Sequence, residues 1–443
     1  MLVEFVGQSE RDSDNPQGDP SRLINCYREL AGTGTAWLKS VLGMEPLTTL
    51  PGTFVAAMGN VDDALYAVCA GRLYRIGSDG SSDDLGAVEA GTAAIAGNNG
   101  HVTVAAGGRY FVHDGAVLTE PQAGAFADFG SVDYFDNYTV LTERGGRRFQ
   151  WSALADPTDL PGLNFSTADG RDDNLVRPMA LHGQLVLFKE RSHELWYNTG
   201  EAGANAFLRV MGGVRDVGLR AHDLIVRFSG AAFMVGSDNR AHLIGPAGLQ
   251  PVSTPPVETA IKLHGPQACV TYSDEGHTFC AIIFRNAPAW VYDVATGEWA
   301  ERAHGPSLAP WVVSASAMLG REWVVGSTGG QVSILRRINN DGAVPLVREA
   351  TSRTLYLDGA RGVLREFEVF PQRGLAASQM ALELSRDGGM TWTLPKPRPV
   401  GPVGEYGRRV IWRGLGQARS INARIRWTDP VDLCLSSKAR VVV

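Results

Sequence analysis

Seven segments of the chain repeat one pattern of hydrophobic and polar positions. Each has a run of β-branched and apolar residues, a short turn containing Gly, Asp, Asn or Arg, and a second run with an aromatic or branched residue. Consecutive segments start 36 to 47 residues apart, close to the roughly 40–50 residues of a four-stranded propeller blade. The segments begin near Asp63, Gly100, Asp136, Gly183, Gly230, Gly276 and Gly320. This period predicts an all-β fold with a β-propeller of six or seven blades; a string of hairpins in a β-sandwich is the alternative.

The pattern changes near residue 345. Residues 363–370 and 381–385 alternate charged and apolar positions over longer strands, which places one face in a core and one in solvent. We therefore predict a propeller over residues 51–345 and a second, β-sandwich-like domain over 346–443. Residues 1–50 are turn-rich and polar, and we expect an arm or a part that completes the second domain. One short helix is expected after Thr254, at a blade edge.

Composition is that of a soluble globular protein: of 443 residues, 44% are hydrophobic and 20% charged. The five cysteines have neither CxxC nor zinc-site spacing, which favours a reducing compartment and no bound zinc. The first 13 residues lack the basic start and apolar run of a secretory signal. The apolar runs are too short to span a bilayer, so we expect no membrane insertion.

Charge is divided unevenly along the chain. Residues 1–345 hold 25 Lys and Arg against 38 Asp and Glu, a net −13, whereas residues 346–443 hold 16 against 9, a net +7. An acidic body repels nucleic acid, while a basic domain can meet phosphate or an acidic protein surface. We favour the protein contact.

Motifs of common catalytic sites are missing from the sequence: it has no nucleophile elbow, P-loop, dinucleotide fingerprint or HExxH. Its nine histidines are scattered, without an i,i+4 pair. Acidic clusters at Asp12/Asp14, Asp79/Asp83/Asp84 and Asp169/Asp172/Asp173 lie in loops and lack EF-hand spacing, so we expect turns there, with calcium binding as the alternative. The prediction is a protein that is not an enzyme and has no cofactor or metal site.

One motif is specific: residues 385–392 (SRDGGMTW) match the Asp-box pattern S-x-D-x-G-x-T-W. In this pattern Ser385 and Asp387 hold the turn, Gly389 and Thr391 shape it, and Trp392 packs beneath it. The motif resembles repeats of sialidases, but a sialidase would carry several copies within the propeller, an arginine cluster and a tyrosine nucleophile. The role expected here is structural.

Six arginines interleaved with Trp412 and Trp427 follow a strand-like alternation near the end of the chain. They predict a basic docking face for a protein partner, or a surface for nucleic acid with arginine on phosphate and tryptophan on bases. The acidic remainder of the chain argues against a dedicated DNA-binding protein. The arginines are Arg408, Arg409, Arg413, Arg419, Arg424 and Arg426.

Several short motifs, in this order, resemble the packaged-DNA stabilisation proteins of short-tailed bacteriophages, also called tail hub or nozzle proteins. They are INCY at 24–27, LPG at 50–52, LYAVCAGRLY at 65–74, HELWY at 193–197, the expected helix region at 251–263, and RRVIWRGLG at 408–416.

The resemblance implies a virion tail protein, made in the cytoplasm of the bacterial host and assembled as a six-fold ring below the portal and its adaptor. The ring would surround the DNA path without sequence-specific binding, retain packaged DNA, and carry tail fibres, spikes or a needle. It implies no catalytic residues. A glycan-binding propeller and a sialidase-like glycoside hydrolase are the alternatives.

Overall fold

The computed structural model describes residues 1–12, 14, 19–30, 36–357 and 361–443, and the described chain is almost entirely β-structure. Seven antiparallel units of four strands follow one another as propeller blades, which confirms the predicted fold class; blades 1 to 5 are separate sheets, and blades 6 and 7 are parts of larger sheets. Blade 1 is Val55–Val61, Ala64–Cys69, Arg72–Ile76 and Ser82–Ala87; blade 2 is Ala93–Asn98, His101–Ala106, Arg109–His113 and Leu118–Thr119; blade 3 is Phe129–Phe135, Tyr138–Glu143, Arg148–Trp151 and Phe165–Thr167; blade 4 is Leu175–Leu181, Gln184–Lys189, His193–Asn198 and Phe207–Arg215; blade 5 is Ile225–Phe228, Ala231–Val235, Ala241–Gly245 and Gly248–Pro251; blade 6 is Pro266–Asp274, His277–Phe284, Ala289–Asp293 and Glu298–His304; blade 7 is Val313–Leu319, Glu322–Ser327, Gln331–Arg336 and Gly43–Thr49.

All seven repeated segments begin at the tight turn between the first and second strands of a blade. In blade 3, Asp136 and Asn137 both have positive φ (48° and 66°). The same holds for His182 and Gly183 of blade 4. Two central residues with positive φ are typical of type I′ turns, whose twist matches that of the flanking strands. The sequence repeat is therefore the repeat of this turn.

Blade 7 is completed by a strand from near the start of the chain. Gly43–Thr49 pairs antiparallel with Gln331–Arg336, with Met44 opposite Leu335. The first and last parts of the propeller sequence are thus held in one sheet, and this closes the ring of blades.

The C-terminal region forms a β-sandwich whose two sheets enclose a hydrophobic core that includes Phe5, Phe367, Leu382, Trp412 and Ile425. N-terminal strands take part in both sheets, which confirms that the N-terminal segment completes this domain. One sheet contains Cys26–Leu30, Ala36–Ser40, Leu435–Val442, Glu366–Pro371 and Val410–Arg413, with Leu2–Glu4 beside Leu435–Val442; the other contains Arg22–Ile24, Arg348–Thr351, Ser420–Trp427, Gln379–Ser385 and Lys396–Pro399, with Leu355–Tyr356 beside Ser420–Trp427. Short strands are Ala309–Pro310, Asn340–Asp341, Val344–Pro345, Gly362–Val363 and Gln417–Ala418, and Gly203–Asn205 is a 3-10 turn.

One sheet runs through both domains. Ile24 of the short strand Arg22–Ile24 pairs in parallel with Glu301 of blade 6 and antiparallel with Glu349 of the sandwich. The next residue, Asn25, is fully buried at this junction: its side chain donates to the carbonyl oxygens of Ala303 (3.0 Å) and Val347 (2.7 Å) and accepts from Ala303 N–H (2.9 Å). The propeller and sandwich are therefore joined by backbone pairing as well as by side chains.

The expected helix spans Pro255–His264, between blades 5 and 6, and buries Val257 and Ile261. Thr254 occupies the N-cap position, but its side chain makes no capping hydrogen bond. Pro256 at the second helical position removes one of the two N–H groups that a capping oxygen can accept, which leaves the Val257 N–H as the other. No helix among the described residues is long and apolar enough to cross a membrane.

Candidate functional site

The propeller axis contains a cavity of about 180 Å³ that touches the innermost strand or its flanking loop in all seven blades. Blades 7, 1 and 2 contribute mostly small side chains, such as Ser316, Ala57 and Ala94. These small residues leave the space. Blades 3, 4 and 5 contribute charged side chains.

The axial charges are Asp133, Arg177, Asp223 and Arg227, and most of them are engaged locally. Arg227 forms an ion pair with Asp133, which also accepts the Ala180 N–H at 2.8 Å. Asp223 contacts His222 Nδ1 at 2.6 Å. Burial lowers the pKa of His222, so a neutral imidazole fits here, donating to Asp223 through Nδ1.

Arg177 differs from its neighbours. Its one described hydrogen bond is a long one, from Nη1 to the carbonyl oxygen of His222 at 3.4 Å, and its buried Nε has no acceptor. Burial also lowers the pKa of this guanidinium. The sequence analysis did not identify it. The sequence does hold a signal for this residue: Arg177 is the one charged residue in the otherwise apolar inner strand Leu175–Leu181.

The axial cavity does not have the parts expected of a glycosidase. Its two carboxylates, Asp133 and Asp223, are bonded to Arg227 and His222, and no tyrosine is found among its described lining residues. A nucleophile or general acid needs a carboxylate available to substrate. In the described part of the chain, no group of three or more His, Cys, Asp or Glu residues is arranged to hold a metal ion.

The Asp-box hairpin forms a compact hydrogen-bonded turn. Ser385 Oγ donates to Asp387 (2.6 Å) and accepts the Gly389 N–H (2.9 Å), while Asp387 accepts the Thr391 N–H (2.9 Å). The bonds from Ser385 and Thr391 lower the pKa of Asp387 to about 2. Trp392 donates from its ring N–H to the Gly389 carbonyl oxygen (3.1 Å).

The Asp-box is tied to the predicted arginine surface by one contact. The guanidinium of Arg424 lies over the ring of Trp392, 4.1 Å from its centroid, within the range of a cation–π contact. Arg424 lies on the sandwich sheet that continues into blade 6, and Trp392 lies in the connection between two strands of the same sheet, Gln379–Ser385 and Lys396–Pro399.

The six predicted docking arginines do not share one face. Arg424 and Arg426 alternate with buried Ile425 on one sheet, where they pair with Glu383 and Glu349. Arg413 ends the strand Val410–Arg413 of the other sheet and Arg409 directly precedes that strand; they pair with Glu366 (3.0 Å) and Glu368 (2.6 Å), respectively. Arg408 lies 3.3 Å from Glu405 in a loop. Arg419 is exposed.

The acidic loops form local turns and surface ion pairs. Asp79 accepts from Ser81 N–H (3.0 Å), and hydrogen bonds from Ser81 lower its pKa. Asp83 and Asp84 lie on the strand Ser82–Ala87 and not in the loop expected from the sequence, and Asp84 pairs with Arg72. Asp12 accepts the Asp14 N–H at 2.9 Å. The hydrogen bonds of Asp79 and Asp12 are those that Asp makes in tight turns.

The third acidic cluster includes one buried ion pair. Asp169 and Asp172 form exposed pairs with Arg209 (2.9 Å) and Arg147 (2.8 Å). Asp173 instead lies 3.2 Å from the fully buried ammonium of Lys189, which is also 3.5 Å from buried Glu194. A buried charge paired and hydrogen-bonded in this way is typical of structural packing.

These features define an almost all-β protein, a seven-bladed propeller fused through a continuous sheet to a β-sandwich. The particular family follows from sequence comparison. Residues 8–337 match the family model described as bacteriophage P22 Gp10, beta-propeller, and residues 348–442 match the one described as bacteriophage P22 Gp10, beta-sandwich. The chain belongs to this family of phage structural proteins that stabilise packaged DNA, which confirms the resemblance seen in the sequence.

Other comparisons add little. No curated protein sequence matches the chain. Among solved structures, the designed Ika8 protein is 14% identical over 66% of this chain and 99% of its own, with a TM-score of 0.40. The WD40 repeats of RRP9 are 10% identical over 67% and 99%, with a TM-score of 0.46, and PorZ of Porphyromonas gingivalis is 10% identical over 75% and 45%, with a TM-score of 0.42. At TM-scores this low, the likenesses carry no argument.

Proposed function

We propose that this protein is the tail hub, or nozzle, of a short-tailed phage. Six copies would form a ring that extends the DNA exit channel below the portal and its adaptor, helps to retain packaged DNA, and provides docking for fibres, spikes or a needle. The protein would be made in the cytoplasm of the bacterial host. In this proposal it catalyses no reaction.

The observation that carries the proposal is the narrow axis of the propeller. A cavity of about 180 Å³ holds about six water molecules at their share of liquid volume, whereas the major groove of duplex DNA alone is about 12 Å wide. DNA therefore has no route through a single propeller. A DNA channel built from this chain requires several copies arranged around a common axis.

The junction between the domains supports a ring. Ring closure requires each copy to present two complementary surfaces at a fixed angle, since a heterologous contact that does not close gives an open filament. The sheet shared by blade 6 and the sandwich, together with the bonds of buried Asn25, favours a rigid subunit.

Charge supports the DNA path and the docking role. The net −13 of residues 1–345 disfavours adhesion of duplex DNA, because binding strengthens with each phosphate that the protein neutralises. DNA could then slide past an acidic wall. Arg413 and Arg419 are exposed on the basic domain and suit contact with an acidic adaptor surface.

Size-exclusion chromatography with light scattering tests the assembly. We expect hexamers, or rings that form when the adaptor is added. Arg413→Ala with Arg419→Ala should weaken the adaptor complex, while Arg75→Ala, an exposed arginine of blade 1, should not. Cryo-electron microscopy of whole particles is decisive: density for this protein away from the DNA axis would disprove the proposal. Sialoside turnover by purified protein would instead support the hydrolase alternative.

A further inference from the structure

The strongest feature that the proposed function leaves unused is the guanidinium of Arg177 on the propeller axis. Arginine has five N–H donors, and the described contacts of Arg177 use one of them, at 3.4 Å. No described carboxylate lies within ion-pair distance, although Arg227 in the same cavity has Asp133. Buried N–H groups without an acceptor are unfavourable, so the cavity offers unused donors on a guanidinium that Asp133 and Asp223 attract only from beyond ion-pair distance.

The space beside these donors is large enough for a small ligand. The cavity of about 180 Å³ is bounded on its uncharged side by small residues, including Ala57 and Ala94. Ser316 also lines it; its hydroxyl accepts the Thr271 N–H at 3.0 Å and keeps its own hydrogen available.

The axial cavity adjoins a second pocket. Ala56 and Asp223 line both the axial cavity and a neighbouring pocket of about 280 Å³ that reaches Phe54 and Gly91. The two spaces therefore adjoin at Ala56 and Asp223.

We propose that the axial cavity binds a small oxyanion, phosphate or a carboxylate, on the guanidinium of Arg177. The unused groups are donors, which selects a ligand that accepts hydrogen bonds, and a planar guanidinium matches two oxygens of one anion. Asp223 opposes anion binding, because it is a negative group of the same cavity; its described side-chain contact is with His222. It should weaken anion binding.

Isothermal titration calorimetry of the full chain at pH 7 tests the site, with sodium phosphate, sulfate or acetate as the probe and sodium chloride held at matched ionic strength. We expect saturable binding of one anion per chain. Arg177→Gln should weaken it at least about tenfold. Asp223→Asn should strengthen it about tenfold, because a like charge is removed from the same cavity. Arg75→Gln, an exposed arginine of blade 1, is the matched control and should bind as the wild type does.

The two axial variants oppose each other in sign, which protects the test from a folding defect. If Arg177→Gln does not fold, Arg177→Lys replaces it in the test. Lysine retains the charge but cannot donate to two oxygens of one anion in parallel, so this variant should bind the anion more weakly than the wild type does. Absence of saturable binding by the wild type, unchanged binding by Arg177→Gln, or weaker binding by Asp223→Asn would each overturn the proposal. Failure here leaves the nozzle proposal standing, since that proposal depends on ring assembly.

Discussion

Asn25 holds three segments together, and its replacement by alanine should destabilise the whole molecule. Its side chain makes hydrogen bonds of 2.7, 2.9 and 3.0 Å to the backbone of blade 6 and of the segment entering the sandwich, and its φ is +56°. Alanine removes all three bonds, at about 1 kcal/mol each, and adds about 1 kcal/mol for a left-handed backbone. We expect a loss of about 4 kcal/mol.

Differential scanning calorimetry measures this loss. Unfolding entropy is about 2.1 cal/mol/K per residue, so for 443 residues each 1 kcal/mol lowers Tm by about 1 °C, and Asn25→Ala should lower Tm by about 4 °C. Asn25→Gly loses the same three hydrogen bonds, but glycine adopts positive φ without cost, so Tm should fall by only about 3 °C. Asn239→Ala is the matched control: Asn239 also has positive φ (62°) but no described side-chain hydrogen bond, and about 1 °C is expected. An Asn25→Ala effect no larger than that of Asn239→Ala would refute the reasoning.

Three further predictions concern the turns, the Asp-box and the thiols. Gly230→Ala (φ +77°, open space) should cost about 1–2 kcal/mol in calorimetry, while Gly245→Ala in the same blade, also with open space but without positive φ, should be neutral or slightly stabilising; equal effects would contradict the turn assignment. Because the folded pKa of Asp387 is about 2, below its ordinary value, its stabilisation is present above about pH 4 and is lost as the pH falls through 2. The difference in free energy of unfolding between wild type and Asp387→Asn, under about 1 kcal/mol at this exposed site, should therefore shrink from pH 5 to pH 2; a difference in Tm that stays constant over this range would contradict the prediction. Burial raises the pKa of Cys26 to about 12, and four of the five free cysteines are buried; a thiol reagent at pH 8 should label at most Cys434 in the native protein and all five after denaturation, and rapid native labelling of Cys26 would rule this out.

The propeller could be predicted because its repeat is local. The repeated sequence of each blade starts at the two-residue turn between its first and second strands. This turn needs positive φ, so Gly, Asp and Asn recur there, as at Asp136 and Gly183. The alternation of residues 363–370 likewise follows from one buried face. Such signals arise between neighbours in sequence and can be seen in a single chain.

Long-range pairing leaves no comparable signal. Nothing near Gly43–Thr49 indicates that its partner is Gln331–Arg336, and the ion pairs of Arg409 and Arg424 with glutamates on neighbouring strands depend on register. For this reason six arginines in one stretch of sequence suggested one face, although the strands place them on two sheets. The axial cluster was missed for the same reason, because Asp133, Arg177 and Asp223 meet only when three blades converge.

The N-terminal strands link the two domains in a way that bears on assembly. Within residues 1–49 the chain enters the sandwich at Leu2–Glu4, bridges the domains at Arg22–Ile24, returns to the sandwich at Cys26–Leu30 and Ala36–Ser40, and closes blade 7 at Gly43–Thr49. Closure of the propeller and completion of the sandwich therefore depend on one segment, and neither domain can lose it without opening a sheet edge, which is prone to pairing with other chains. A subunit held in this way would keep its acidic propeller and basic sandwich at a fixed separation. In the proposed ring, that rigidity sets which charge faces the DNA and which faces the adaptor.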